Sequence, residues 1–257
     1  MKLKLDNKKV LITGASKGIG AAIAKAFLKE KAKTIIVSRG SKKLYSTEKE
    51  LQSKYGENLV SAYKCDCTDR NSIIELKNII DKEYKGLDVI IANVGDGRSV
   101  SDALPNEKQW QRTWDNNFKS ALYTAREFLP MLKKSKGCLL FISSIAGMEA
   151  FGAPTDYSTA KAAVIALAKN IARKVAPDIR VNVISPGNVF FKGGSWDKKT
   201  QQDEKKVKEI INSTVPMKRF ATPKEIANAT VFLCSDKAKF ITGANLIIDG
   251  GQTVSVF

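Results

Sequence analysis

Residues 9–20, KVLITGASKGIG, decide the fold class of this chain. The stretch begins with a short apolar run that stops at Gly14, which is the pattern of a buried strand. It continues through a glycine-rich turn into residues 19–31, where the apolar side chains at 19, 23, 26 and 27 have helical spacing. A strand, a tight turn and a helix in this order predict the first βα unit of a parallel sheet.

The same alternation of segments continues to the end of the chain. Apolar runs predict six further strands, at 34–38, 60–65, 87–92, 137–143, 180–184 and 246–249. Helical patterns lie between several of them, at 42–55, 71–84, 110–133 and 157–175. Continuous apolar strands separated by helices indicate a parallel sheet that is covered on both faces. We therefore predict a single α/β domain over residues 1–257 with a doubly wound, seven-stranded sheet of the Rossmann type.

One irregular stretch interrupts this alternation. Residues 187–202 follow the sixth predicted strand, contain Gly193-Gly194 and three aromatic side chains, and precede a charged helix. Loops at the carboxyl ends of parallel strands are where a doubly wound sheet binds its ligand. We expect a substrate loop or lid over about residues 187–215. A lid without direct substrate contact, or a fixed turn at the two glycines, is the alternative.

The charge of the chain is strongly basic. Its formal net charge is +17, but only 8 of the 43 basic residues are Arg, and the lysines are spread over all 257 residues. Proteins that read nucleic acid usually concentrate Arg on one element. We therefore expect a solvated lysine-rich surface and no nucleic-acid partner. A positive field that attracts an anionic substrate or cofactor is the alternative.

Histidine and cysteine usage narrows the chemistry. The chain has no His, and its four Cys, at 65, 67, 138 and 234, form no C-x-x-C pair. These facts exclude zinc sites, histidine acid/base catalysis and Ser-His-Asp triads. Sparse cysteines fit a reducing compartment. Since the first residues lack the apolar region of a signal peptide and no run of about 18 apolar residues follows, we expect a cytoplasmic protein without a membrane segment.

The glycine turn has the chemistry of a phosphate cradle. Gly14, Gly18 and Gly20 are spaced G-x-x-x-G-x-G, and glycine lets the backbone approach a pyrophosphate closely. The helix that follows presents free N–H groups at its positive end. A purely structural turn is the alternative, but the strand–turn–helix context favours dinucleotide binding.

The end of the second strand indicates which dinucleotide is used. An NAD site places an acidic residue there to hold the ribose 2′-hydroxyl, whereas this strand ends in Ser38-Arg39. A guanidinium can bind a 2′-phosphate with several donors. Lys17, which we expect on the same side, adds a second positive charge. The pair favours NADP(H) over NAD(H); an ordinary solvated Arg is the alternative.

Three further side chains suggest acid/base chemistry without histidine. Tyr157 and Lys161 are four residues apart on a predicted helix, so they share one face. An ammonium near the phenol would lower the pKa of Tyr157 from its usual value of about 10. Ser144 ends the fifth strand, where its hydroxyl can bind a substrate oxygen. A Y-x-x-x-K pair alone is a weak signal, but it gains weight beside the glycine turn and Ser144.

Together these motifs resemble the classical short-chain dehydrogenase/reductase family over about residues 8–251. The resemblance implies an oxidoreductase that moves a hydride between a nicotinamide and a ketone or secondary alcohol. In it Tyr157 would exchange the proton, Ser144 would orient the oxygen, and Lys161 would hold the nicotinamide ribose. The family's proton-relay asparagine matches Asn117, with Asn116 as the competing choice.

The resemblance also implies a set of cofactor contacts. The matching residues are Gly14, Ser16, Lys17, Gly18, Ile19, Gly20, Ser38, Arg39, Asp66, Cys67, Asn93, Gly95, Tyr157, Lys161, Pro186, Gly187 and Val189. Two positions depart from the family pattern. Ala92 replaces the first Asn of N-N-A-G, and Phe190-Phe191-Lys192 stands where the family commonly has a Thr.

Within the family, the chain most resembles the 3-oxoacyl-[acyl-carrier-protein] reductases. A basic surface would suit an acidic carrier protein, and residues 240–251 are typical of the homotetramers in that group. Sugar-modifying reductases are the close rival, because residues 193–197, GGSWD, combine an aromatic side chain with polar groups. A non-catalytic NADP sensor and a nucleic-acid-binding protein are the alternatives from other classes.

Overall fold

The computed structural model describes residues 2–256 and contains one parallel sheet. Its strands are β1 Lys9–Thr13, β2 Lys33–Ser38, β3 Val60–Lys64, β4 Val89–Ala92, β5 Cys138–Ile142, β6 Arg180–Pro186 and β7 Asn245–Ile248. They lie side by side in the order β3-β2-β1-β4-β5-β6-β7. The predicted seven-stranded, doubly wound fold is confirmed.

Helices cover both faces of this sheet. They are α1 Gly18–Lys29, α2 Ser41–Tyr55, α3 Arg70–Tyr84, α4 Glu107–Trp114, α5 Ser120–Ser135, α6 Thr155–Val175, α7 Ser195–Gln202, α8 Glu204–Thr214 and α9 Pro223–Cys234. A π-helical segment, Asp115–Lys119, joins α4 to α5. The long helix predicted over 110–133 therefore begins three residues earlier and contains a π turn, a feature that often marks functional sites.

The sheet separates two hydrophobic cores, one on each face, and the side chains of β1 contribute to both. Val10 and Ile12 pack on one face with Phe27 of α1, whereas Leu11 points to the other face with Phe128 of α5. Successive side chains of a strand alternate between faces, so each strand contributes to both cores. All five side chains are buried. Each contributes about 1.5–3 kcal/mol by leaving water.

The order of the strands places a crevice at the carboxyl end of β1. This strand pairs with β2 on one side and with β4 on the other, so the direction of winding reverses there. Ligands bind at such a reversal in doubly wound folds. Thr13 and Ala92 end the two strands that border it.

The segment after β6 is more regular than its sequence suggests. We predicted an irregular stretch over 187–202, but α7 occupies Ser195–Gln202. The prediction was wrong there because α7 buries no side chain fully, so it has no apolar periodicity to detect. Within residues 2–256, no helix combines the length and apolar character needed to cross a bilayer.

Candidate active site

The glycine turn at the end of β1 forms an open backbone cradle. Gly14 and Gly18 have φ of +65° and +59°, the left-handed region that favours glycine. A Cβ at Gly20 would lie 2.5 Å from the Gly14 carbonyl oxygen and 2.6 Å from Nδ2 of Asn93. The Asn93 amide donates to the carbonyls of Thr13 (3.0 Å) and Gly14 (3.2 Å), which ties the end of β4 to the turn.

The start of α1 leaves donors available beside this cradle. Lys17 is the N-cap residue, and its side chain does not cap the helix. No acidic side chain lies in the first turn. The first N–H groups of a helix lack partners within it, and the dipole makes that end positive. The turn therefore has the shape and polarity to hold a pyrophosphate.

The ends of β2 and β3 provide a basic group for the adenosine half. The Arg39 guanidinium lies 3.8 Å from the Asp66 carboxylate, and its side chain is still 53% exposed. Ser38 Oγ donates to Ser16 Oγ at 3.2 Å, which joins the strand end to the glycine turn. Cys67 is buried beside them. Arg39 can therefore present free N–H donors to a phosphate at this edge.

Lys17 does not reinforce Arg39 as the sequence suggested. Its ammonium instead donates to the carbonyl of Gly193, at 3.2 Å, in the loop that follows β6. The side chain extends along the cradle toward the substrate loop because that carbonyl offers an acceptor for its charge. Arg39 alone stands at the end of β2, and Lys17 links the cofactor turn to the loop.

The loop after β6 covers one side of the cradle. Pro186 ends β6, and the Gly187 N–H donates to the carbonyl of Ile248 at 2.9 Å. The side chain of Val189 is buried in the core, so any contact of this residue with a nicotinamide carboxamide would involve its backbone. The ring of Phe191 lies against Gly18, where a Cβ would be 2.7 Å from the ring. An aromatic face thus occupies the place where the family commonly has a Thr.

Lys161 lies deep in the site at one side of α6. Its side chain is only 3% exposed, and its ammonium donates to the carbonyl of Ile142 at 3.1 Å. The Nζ atom is 5.8 Å from the centroid of the Tyr157 ring. Burial lowers the pKa of Lys161 to about 8. A buried ammonium without a carboxylate partner is well suited to bind hydroxyl oxygens of a ligand.

Tyr157 is held in its neutral form. Burial raises the pKa of its phenol, a hydrogen bond with Ser144 opposes the rise, and the nearby negative charge of Asp96 adds to it. This direction is opposite to the lowering expected from Lys161. The reason is burial of the phenol, which outweighs the hydrogen bond with Ser144. A neutral phenol near a carbonyl is a proton donor.

The residues that follow β5, among them Ser144, pack closely against α6. Ser144 Oγ accepts from the Ala146 N–H at 3.2 Å and so caps a short 3₁₀ turn. Ser143 Oγ donates to the carbonyl of Lys161 at 2.8 Å. A Cβ at Gly147 would lie 2.7 Å from the backbone of α6, so only glycine permits this close approach. Since Ser144 also hydrogen-bonds to Tyr157, the three predicted catalytic side chains lie close together.

The two candidate asparagines behave differently. Asn116 donates to the carbonyl of Arg112, four residues back on its own helix, at 2.8 Å. Asn117 accepts from the Asp96 N–H at 3.0 Å and donates to the Asp96 carbonyl at 2.9 Å. A Cβ at Gly95 would lie 3.1 Å from Asn117 Oδ1 and 2.9 Å from Lys161 Nζ. Asn117 is therefore the asparagine that reaches the site, and its relay role stays a prediction.

Comparisons with known proteins agree with this geometry. The family model described as Enoyl-(Acyl carrier protein) reductase matches residues 14–253. A 3-oxoacyl-[acyl-carrier-protein] reductase of Thermotoga maritima is 31% identical over 254 residues, which cover 98% of this chain and 100% of that protein. This chain belongs to the short-chain dehydrogenase/reductase family. It is an oxidoreductase that acts on hydroxyl or keto groups.

Sugar reductases are equally similar to this member of the family. A sorbose reductase of Schizosaccharomyces pombe is 36% identical over 254 residues, with 96% of each chain covered. A crystal structure of L-sorbose reductase from Gluconobacter frateurii, complexed with NADPH and L-sorbose, has a TM-score of 0.94 and 28% identity over the whole of both chains. The family is therefore shown, whereas the substrate is not.

Sequence reasoning missed the segment that faces Tyr157. A Cβ at Gly97 would be 3.9 Å from the Tyr157 ring, and Asp96 precedes it. The Asp96 carboxylate accepts from the Arg98 guanidinium at 2.6 and 2.8 Å. Burial raises the pKa of Asp96, but the bonds to Arg98 outweigh it and hold this pKa below its usual value. The D-x-R pattern directly after Gly95 was the available signal.

Proposed function

We propose that this oxidoreductase uses NADP(H) and reduces the carbonyl of a polar, ketose-like substrate to a secondary alcohol. The observation that carries the substrate class is the Asp96–Arg98 ion pair beside Tyr157. Charged side chains that border a site can bind substrate hydroxyls through hydrogen bonds, whereas an acyl chain offers them no polar group. Similarity to two sorbose reductases supports the same class.

The residues present fit an NADP(H) cofactor. The cradle of Gly14, Gly18 and Gly20 would be filled by any side chain, and the adjacent uncapped helix end favours a pyrophosphate. Arg39, which contacts Asp66 at only 3.8 Å and is 53% exposed, would bind the 2′-phosphate. The reduced nicotinamide, when bound, supplies the hydride that adds to the carbonyl carbon. Lys161 would hold the nicotinamide ribose.

The chain itself supplies the proton. As the carbonyl carbon gains the electron pair of the hydride, the O–H bond of Tyr157 breaks and its proton passes to the carbonyl oxygen. Ser144 donates a hydrogen bond that orients that oxygen. The phenolate left on Tyr157 is stabilised by the Lys161 ammonium. Asn117, adjacent to Lys161, is placed to hold the water that returns a proton.

A 3-oxoacyl thioester on an acidic carrier protein is the second candidate. The net charge of +17 and the similarity to a 3-oxoacyl-[acyl-carrier-protein] reductase favour it. A basic surface would accelerate encounter with an acidic carrier and make it salt-dependent. The Asp96–Arg98 pair offers this substrate less, because an acyl chain has no polar group for the pair to bind.

NADPH oxidation with a matched panel separates the two substrates. We expect L-sorbose or another ketose to have a higher kcat/KM than acetoacetyl-pantetheine or an acetoacetyl carrier protein. Preference for the thioesters would reassign the substrate and leave the oxidoreductase mechanism intact. Oxidation of NADPH no faster than in the Tyr157→Phe variant, with every carbonyl in the panel, would refute the proposed function.

Arg39→Ala tests the cofactor choice. Loss of a hydrogen bond to a charged group costs about 1.5–3 kcal/mol, so the Kd for NADPH should rise roughly 10- to 100-fold while the Kd for NADH stays nearly constant. The Kd values follow from quenching of protein fluorescence. Arg173→Ala is the matched control, because Arg173 is exposed in the last turn of α6, at the opposite edge of the sheet. Equal losses for both cofactors would contradict the assignment of Arg39.

We also propose a homotetramer, for which α6 supplies a candidate contact face. Its side chains form two separate stripes: Ala160, Val164 and Ala168 are buried, whereas Ala163, Leu167 and Ile171 remain half-exposed. A half-exposed apolar stripe at four-residue spacing favours a second subunit.

Sedimentation tests this assembly. We expect the wild-type mass to be four times that of one chain at micromolar concentration. Leu167→Asp would introduce a buried charge at the contact and should reduce the mass. Asn78→Asp on the exposed face of α3 adds the same charge elsewhere and should not. A wild-type mass equal to one chain would refute the tetramer.

Residues 187–215 are proposed as the lid over this site. Trp196 of α7 packs on Phe220 with ring centroids 5.3 Å apart, and Phe190 packs on the same ring at 5.5 Å. Lys199 lies 4.7 Å above Trp196. These contacts hold Phe190 and Trp196 against Phe220, and apolar rings in the lid would help to exclude water when a substrate is bound.

A further inference from the structure

Asp156 is a buried carboxylate that the proton chemistry does not use. It is the second residue of α6, directly before Tyr157, and its exposed fraction is 0%. Its Oδ1 accepts from the Tyr157 N–H at 2.8 Å, and its Oδ2 accepts from Ser99 Oγ at 2.6 Å. A buried charge is costly unless it is fully hydrogen-bonded, so a carboxylate here has a specific use.

The partners of Asp156 belong to the segment that faces Tyr157. Gln109 of α4 donates to Ser99 Oγ at 3.1 Å and to Thr113 Oγ1 at 3.0 Å, which extends the network from α6 to α4. Burial raises the pKa of Asp156, but hydrogen bonds from Ser99, Thr113 and the Tyr157 backbone outweigh it and lower this pKa. The carboxylate therefore stays ionised and keeps its acceptors.

The segment 96–99 is thus held at both ends. Asn117 binds the N–H and the carbonyl of Asp96 at one end, and Asp156 binds Ser99 at the other. Between them lie Gly97, against the Tyr157 ring, and Arg98. We call residues 96–99 the substrate wall.

We propose that Asp156 is a positioning residue that fixes the substrate wall against Tyr157 through Ser99. The expected effect on substrate binding rests on the proposed function. The effect on the position of the substrate wall does not depend on it. The segment between β4 and α4 has no strand or helix of its own from 93 to 106, so its position depends on such side-chain anchors. Loss of the Ser99 bond should loosen the wall and leave the cofactor cradle intact.

Two substitutions break the same bond from opposite sides. Ser99→Ala removes the donor and is mild, because Ser99 is only half-buried. Asp156→Asn removes the charge and, with its amide oxygen on the Tyr157 N–H, places an NH2 donor where Ser99 Oγ had an acceptor. The matched control is Thr230→Val, which deletes a fully buried hydrogen bond to Ile226 in α9, on the other side of the sheet. The double variant Ser99→Ala/Asp156→Asn completes a double-mutant cycle, which tests whether the two substitutions act through the same bond.

Hydrogen exchange measures the wall directly, without turnover. We expect the amides of residues 94–106 to exchange faster in both single variants and to be unchanged in Thr230→Val. For a carbonyl that the wild type reduces, KM should rise roughly tenfold or more while the NADPH Kd stays within twofold, and the double variant should match Asp156→Asn alone.

The outcomes separate the two proposals. Unchanged exchange in the Ser99→Ala protein overturns the positioning role, even if Asp156→Asn does not fold. Additive effects of the two substitutions would also overturn it, since one bond cannot be lost twice. If the wild type reduces no carbonyl but the exchange increases as expected, the proposed function fails and the positioning of the wall stands.

Discussion

The Tyr157→Phe protein is expected to lose catalysis and to keep its cofactor. General acid catalysis contributes about 10²–10⁴-fold, so kcat for carbonyl reduction should fall by that factor. The substitution removes only the hydroxyl oxygen, and the ring beside Gly97 remains. The NADPH Kd should therefore be unchanged. Stopped-flow NADPH oxidation and a fluorescence titration measure the two quantities.

Tyr123→Phe is the control for this experiment. Tyr123 is a half-buried tyrosine on α5 that packs against the core. Its variant should keep the wild-type kcat. If Tyr157→Phe retained rates near the wild type on every accepted carbonyl, the assigned acid would be wrong and the proton would have to come from another group.

The features predicted correctly from the sequence are local ones. The turn at Gly14–Gly20 follows from glycines placed between an apolar strand and a helix, and the pairing of Tyr157 with Lys161 follows from their spacing on one helix. The sheet followed from continuous apolar strands. In each case the residues that form the turn, the pair or the strand lie within about ten positions of one another. A single local pattern is therefore sufficient to predict the feature.

The features that sequence reasoning missed depend on contacts between distant segments. The bond between Ser99 and Asp156 joins residues 57 positions apart, and no periodicity indicates it. The pKa of Tyr157 was assigned the wrong direction because the four-residue spacing brings Lys161 near the ring but does not reveal the burial of the phenol, which raises this pKa. The same holds for Lys17, whose acceptor at Gly193 is 176 residues away.

The pKa values of the site have a joint consequence for its pH dependence. Burial raises the pKa of Tyr157, so the phenol stays protonated and able to donate through neutral and mildly alkaline pH. Burial lowers the pKa of Lys161 to about 8, so this ammonium loses its proton first as the pH rises. The group that limits reduction at alkaline pH should therefore be the lysine and not the tyrosine.

Lys161→Ala tests that assignment. In the wild type, kcat/KM for carbonyl reduction should be level below pH 8 and fall about tenfold per pH unit above it, because the loss of one proton removes the charge that stabilises the phenolate. At pH 7 the variant should be slower by about 10²–10³-fold, and it should bind NADPH more weakly since the ribose loses its partner.

The shape of the pH profile of the Lys161→Ala variant tests whether Lys161 is the group that titrates near pH 8. Without the lysine, the decline above pH 8 should vanish, so the difference between the variant and the wild type should shrink as the pH rises. Lys169→Ala, an exposed lysine two turns along α6 that donates to the Gly243 carbonyl, should keep the wild-type profile. A decline near pH 8 that persisted in Lys161→Ala would mean that a different group titrates, and the neutral Tyr157 would no longer be the proton donor over the whole range.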